Sequence, residues 1–161
     1  MRKVDSGRVV RRYTLTIEAA PDVVFPLLCP VREGEWVDGW AESCEVLHSD
    51  SGVAEEGCVF RTRAKDGRET VWAVTRHDRE ARAIEFHRVT PGLLATRLAI
   101  AAEGRADGGS AVSIAYTLTP LGVEGRQALV SDWDEPSFAR DMAWWEQSMN
   151  HWLRTGQVLR H

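Results

Sequence analysis

The stretch Asp134-Glu135-Pro136-Ser137-Phe138-Ala139-Arg140-Asp141-Met142-Ala143-Trp144-Trp145-Glu146-Gln147-Ser148-Met149-Asn150-His151-Trp152-Leu153-Arg154-Thr155-Gly156 decides the fold. Within it Phe138, Met142, Trp145, Met149 and Trp152 recur at intervals of four, three, four and three residues, which draws one apolar stripe down a helix. Asp134 is a good cap, Pro136 suits the first turn and Gly156 is a natural stop. A helix of about 20 residues reaches about 30 Å, enough to cross a whole sheet. Trp144 falls on a different face, with Arg140, Gln147 and His151. It is expected to pack on the loop of residues 122–133 or on a second subunit.

Upstream of the helix the apolar period changes to two. Val112, Ile114, Tyr116 and Leu118 predict a strand that Pro120 ends, and Leu94, Thr96, Leu98 and Ile100 predict its neighbour across Asp107-Gly108-Gly109. Residues 83–90 form a strand after a polar turn. Residues 58–63 and 69–76 flank Lys65-Asp66-Gly67-Arg68, whose Asp-Gly pair is a short-hairpin signal. Residues 41–48 read as a strand followed by the acidic loop 49–57. At the other end, Tyr13, Leu15 and Ile17 alternate with polar residues as a first, half-buried strand.

Pro21 starts a short helix in which Val24, Leu27 and Leu28 share one face; Pro26 removes a backbone hydrogen bond and Pro30 stops it. Residues 31–39, with Trp36, form a second helical turn broken by Gly39. The order is therefore one strand, two short helices, six strands and one long helix. Short connections between strands require antiparallel neighbours. The expected class is α+β: a curved antiparallel sheet of about seven strands whose concave face is covered by the C-terminal helix. Where helix and sheet stand apart at one end, a cavity results.

The chain of 161 residues, with no repeat and no Gly/Ser linker, is expected to form one domain over residues 1–161. A net charge of −4 gives nucleic-acid binding no electrostatic support. The early basic cluster Arg2, Lys3, Arg8, Arg11 and Arg12 reads as a solvated tail and edge strand. No apolar run is long enough for a spanning helix, so membrane insertion is not expected, and no signal-peptide pattern precedes Tyr13. Three widely spaced cysteines point to a reducing compartment, and the expected location is cytoplasmic.

The chain resembles the START-like or SRPBCC superfamily, the helix-grip fold shared by lipid-transfer domains, plant pathogenesis-related pollen allergens and polyketide cyclases. The resemblance is carried by Ile17-Glu18-Ala19-Ala20-Pro21-Asp22-Val23-Val24-Phe25 and by the closing Trp-rich helix. Cys29-Pro30-Val31-Arg32-Glu33-Gly34-Glu35-Trp36-Val37-Asp38-Gly39-Trp40 looks like a signature of an uncharacterised bacterial branch. Together they imply a hydrophobic cavity between sheet and helix. They imply no catalytic residue, because the superfamily shares none. An acidic loop bracketed by Gly52 and Gly57 stands where the plant proteins carry a Gly-rich one.

Nine residues are the candidate ligand-binding set: Trp36, Trp40, Phe60, Trp72, Phe86, Arg88, Tyr116, Trp145 and Met149. Aromatic rings bury large areas with specific stacking geometry, and Met adapts to irregular shapes. Core and apolar pockets use the same residue types, so for any single residue ordinary core is the simpler reading. Arg88 shares parity with Ile84 and Phe86 and is the best inward-facing arginine of Arg61, Arg63, Arg76, Arg88 and Arg97. Tyr116 has its ring inside and its hydroxyl in need of a partner.

Glu33, Glu35 and Asp38 beside Trp36 and Trp40 could act as acid or base at a pocket mouth, though a solvated loop accounts for them more simply. Cys44 and His48 lie about 13 Å apart on a strand and cannot share a metal ion. His87 is expected to face solvent. Neither a metal nor a cofactor is expected, and no catalytic residue is assigned. The expected function is binding of a small hydrophobic or aromatic molecule. An enzyme of the polyketide cyclase or aromatase kind is one alternative. The other is an interaction module resembling chaperone activators, with a homodimer as one form and Trp144 as its support.

Overall fold

A computed structural model describes residues 6–161. Arg2 and Lys3 of the basic cluster lie outside the described residues. Seven strands form one antiparallel sheet in the order β1-β7-β6-β5-β4-β3-β2. They are β1 Val9–Ile17, β2 Cys44–His48, β3 Val59–Arg63, β4 Glu69–Asp78, β5 Ala83–Thr90, β6 Leu94–Gly104 and β7 Ser110–Pro120. From β2 to β7 each strand pairs with the next, and β1 closes the far edge against β7. Between β1 and β2 run α1 (Pro21–Val24), a 3₁₀ turn Phe25–Leu28, a second 3₁₀ turn Glu33–Glu35 and α2 (Trp40–Ser43). After β7 come α3 (Val123–Ser131) and the long α4 (Glu135–Thr155).

The long helix follows its sequence signals closely. The Asp134 carboxylate accepts from the Ser137 amide at 2.9 Å, and Gly156 ends the helix in the left-handed region at φ 68°. Phe138, Met142 and Met149 are buried, and Trp145 and Trp152 pack partly buried against the same core. The apolar parity of the sheet agrees: Leu15, Ile17, Ile114 and Leu118 are at most 1% exposed. Each such side chain contributes about 1.5–3 kcal/mol relative to an exposed one.

The polar flank of α4 also satisfies the outer edge of β1. Glu146 accepts from the Thr16 amide at 2.7 Å. The Asn150 side chain accepts from the Glu18 amide and donates to the Thr16 carbonyl, both at 2.9 Å. Arg11 Nε donates to the Trp133 carbonyl at 2.7 Å. An edge strand with free amides invites pairing with another chain, and these side chains block that edge.

Three expectations need correction. Residues 40–43 form α2 instead of the start of β2, because Gly39 at φ 74° launches a helical turn before the strand. Residues 122–133 are not a loop: they hold α3, whose buried residues are Gly125, Ala128 and Leu129. Its signal was weak because Gly125 lowers helix propensity and Val123 and Val130 point outward, 62% and 76% exposed. Gly125 is there for close approach, since a Cβ at that position would lie 2.0 Å from the Leu93 carbonyl oxygen. Third, Trp144 has a partner that the sequence did not suggest: its ring stacks on His161 at 3.8 Å between centroids.

Two register shifts bend the sheet, at Val46/His48 and at Val74/Arg76. Beyond the second shift His77 opposes Ile84, and its ring packs on Phe25 at 5.2 Å under α1. Among the described residues, no helix is long and apolar enough to cross a membrane.

Candidate ligand cavity

Strands β3 to β7 converge on a cavity of about 320 Å³ near the β3–β4 hairpin. The sheet contributes Phe60, Thr62, Trp72, Phe86, Arg88, Leu98 and Tyr116; the covering elements contribute Glu33, Trp40, Ser43 and Trp145. The register explains this grouping. Phe60 pairs with Trp72, Trp72 with Arg88, and Leu98 with Tyr116, so a single inward face carries them side by side.

The rings brace one another. Phe60 and Trp72 stack at 5.2 Å with planes 17° apart, and Phe86 meets both edge-on at 6.1 and 6.2 Å. Trp40 closes from above, at 6.3 Å from Phe60 and 6.1 Å from Trp72. Two of the indole N–H groups are spent locally: Trp40 donates to the Pro30 carbonyl at 2.7 Å and Trp72 to Thr62 Oγ1 at 2.9 Å. The aromatic wall is thus fixed before any ligand arrives.

Polar groups are few. The Arg88 guanidinium carbon lies 4.5 Å from the Trp72 ring centroid, 5.5 Å from Tyr116 and 5.4 Å from Trp133. Burial pulls its pKa down, with Tyr116 acting the other way. Burial pushes the Tyr116 hydroxyl up to about 12 despite Arg88. Glu33 is 5% exposed, and burial pushes its carboxyl up to about 8, so it is mostly protonated at neutral pH. Thr96, which pairs with Arg88 in the sheet, has a buried hydroxyl without a hydrogen-bond partner among the described residues.

Seven of the nine candidate residues line this cavity: Trp40, Phe60, Trp72, Phe86, Arg88, Tyr116 and Trp145. Trp36 and Met149 do not; both are fully buried, and Trp36 supports the cavity from behind through an edge-on contact with Trp145 at 5.7 Å. Trp36 also donates to the Leu27 carbonyl at 2.9 Å.

The three carboxylates of the 31–39 segment separate. Glu35 pairs with Arg32 at 2.8 Å, and that guanidinium holds its carboxyl below the usual range. Asp38 is held by Arg160 and the His161 amide, which lower its pKa. Only Glu33 of the three reaches the cavity, so the simpler reading of all three as a solvated loop fails for it. Its 3₁₀ turn sets that direction, with its own amide bonded to the Cys29 carbonyl at 2.8 Å.

The remaining strand arginines form exposed pairs, Arg61 with Glu45, Arg63 with Glu69, Arg76 with Asp78 and Arg97 with Glu85. His87 is exposed, as its parity indicated. Sequence reasoning missed Trp133, whose ring meets Arg88 and packs on Tyr116 at 5.1 Å. Its position just before the Asp134 cap was the available signal.

A curved antiparallel sheet gripping a long C-terminal helix is the helix-grip fold. Solved structures agree on the fold. Norcoclaurine synthase from Thalictrum flavum superposes with a TM-score of 0.68 at 12% identity, covering 94% of this chain and 98% of that one. The Zhui aromatase/cyclase from Streptomyces sp. R1128 gives 0.66 at 12% identity, covering 94% and 99%. DynU16, a protein of the dynemicin biosynthetic locus, gives 0.61 at 15% identity over 92% of this chain, which spans about half (48%) of DynU16. No protein-family model and no curated protein matches the sequence.

Proposed function

We propose that the chain, acting as one domain, binds a compact aromatic or apolar small molecule between the sheet and α4. The observation that carries this reading is a cavity of about 320 Å³ walled by braced rings, with the indole N–H donors of Trp40 and Trp72 already satisfied. That volume falls at the low end of the ~300–1,000 Å³ of typical ligand pockets, which favours a ring compound over a long acyl chain. The fold neighbours named as a norcoclaurine synthase and an aromatase/cyclase give the reading its wider support. Three free cysteines fit a cytoplasmic location. Intrinsic tryptophan fluorescence, titrated with aromatic compounds and with lipids, tests the proposal. Saturable quenching by the aromatic set supports it, and no response to either set removes it.

A second reading, catalysis of the cyclase or aromatase kind, is favoured by one observation. Glu33 is a buried carboxyl at the cavity, held protonated near neutral pH, and can donate a proton to a developing oxyanion. Turnover of a polyketide-type substrate by the wild type and its loss in Glu33→Gln would support this. Equal turnover by both would remove Glu33 from the chemistry.

A further inference from the structure

The charges around the cavity do not balance. Glu33, Arg63 and Arg88 are the lining side chains that carry carboxyl or guanidinium groups. Arg63 stands at the rim, exposed and paired with Glu69. Burial pushes the Glu33 carboxyl up to about 8, so it is mostly protonated at pH 7. Arg88, half-buried on β5, therefore brings a positive charge to the cavity wall, and no carboxylate lies within 4.0 Å of it among the described residues. Its N–H groups also make no hydrogen bond there; the rings of Trp72, Tyr116 and Trp133 hold it by their faces alone.

Ring faces position a guanidinium, but they accept none of its five N–H donors. A half-buried cation that makes no hydrogen bond costs stability unless something completes it. The planar fork of Arg matches a carboxylate with two parallel hydrogen bonds. The neighbouring Tyr116, which also lines the cavity, adds a hydroxyl donor.

We propose that the cavity takes a compact aromatic carboxylate, its carboxylate on Arg88 and its ring among Trp40, Phe86 and Trp145. This assignment rests on the small-molecule reading given above and names the ligand class for the same cavity. The neutral Glu33 carboxyl does not repel such an anion, and it offers a donor to a carbonyl or hydroxyl at the ligand's far end.

Isothermal titration of the full chain at pH 7 with matched pairs tests it: benzoate against benzyl alcohol, and 2-naphthoate against 2-naphthylmethanol. The wild type should bind at least one acid about tenfold more tightly than its alcohol, a difference typical of one charge-assisted pair. Arg88→Met should bind the two members alike, while Arg88→Lys, which keeps the charge without the fork, should retain part of the preference. Circular dichroism checks that each variant is folded; if Arg88→Met is not, Arg88→Lys decides, and an undiminished preference in it overturns the proposal. Alcohols binding the wild type as tightly as acids would overturn the anion assignment and leave the cavity reading intact. No binding of any compound would overturn both.

Discussion

The Arg88 guanidinium lies 4.5 Å from the centroid of the Trp72 ring, on adjacent strands whose register pairs the two residues directly. Phe60 stacks on the same indole at 5.2 Å, and Thr62 takes its N–H. Trp72 thus joins the apolar wall of the cavity to the Arg88 cation.

That position gives Trp72 a graded mutational signature. Trp72→Phe keeps a ring but loses the bond to Thr62, and should cost about 1 kcal/mol. Trp72→Ala removes the wall and should cost about 3–5 kcal/mol. Urea denaturation of both variants measures the difference. Equal losses would show that the indole N–H, and not the ring, dominates.

Glu33 gives the protein a pH dependence of definite sign. The unfolded carboxyl releases its proton near the ordinary value of 4.5, the folded one near 8. Between those values the native state holds the extra proton, so stability falls as pH rises across the window and the loss is complete above it. Glu33 raises the pKa of Cys44, the first residue of β2, and of Tyr116 on β7, and it shares the cavity lining with Arg63 on β3 and Arg88 on β5. Glu33→Gln should stabilise the chain at pH 8 by a few kcal/mol, on the scale of about 1.4 kcal/mol per pKa unit, and flatten the decline. Unfolding curves from pH 5 to 9 measure it; identical slopes for both proteins would contradict it.

Asn150 holds the β1 edge with two hydrogen bonds, to the Glu18 amide and the Thr16 carbonyl. Asn150→Leu should cost about 1–3 kcal/mol, because both backbone groups lose their partner in a half-buried site. Hydrogen exchange should report faster exchange of the Glu18 amide than in the wild type. Unchanged protection would mean that α4 does not cap this edge.

Gly125 allows α3 to approach the β5–β6 turn. Gly125→Ala places a methyl 2.0 Å from the Leu93 carbonyl oxygen and should destabilise by about 1–3 kcal/mol, despite the higher helix propensity of Ala. A stabilised variant by thermal melting would contradict the close approach.

The sheet and the long helix were legible because their patterns are periodic: alternate residues from Leu94 to Leu118 bury one face, and Phe138 to Trp152 bury one stripe. The inward face of Arg88 followed from the same alternation. What alternation could not supply was the depth of each side chain along the face. Trp36 and Met149 share the apolar character of Trp40 and Trp145, yet the former pair are sealed in core and the latter line the cavity. Glu33, Glu35 and Asp38 looked alike in sequence. A 3₁₀ turn sends Glu33 inward, while Arg32 and Arg160 keep the other two outside. Helix α3 escaped because its packing depends on an absent side chain, that of Gly125.

The most direct test of the cavity as the binding site is a two-dimensional NMR titration of the indole N–H resonances with the tightest-binding compound. The account predicts saturable shifts for Trp40, Trp72 and Trp145, which line the cavity, with Trp144 unmoved beneath His161. Shifts confined to Trp144, or no shifts at saturating ligand, would contradict it.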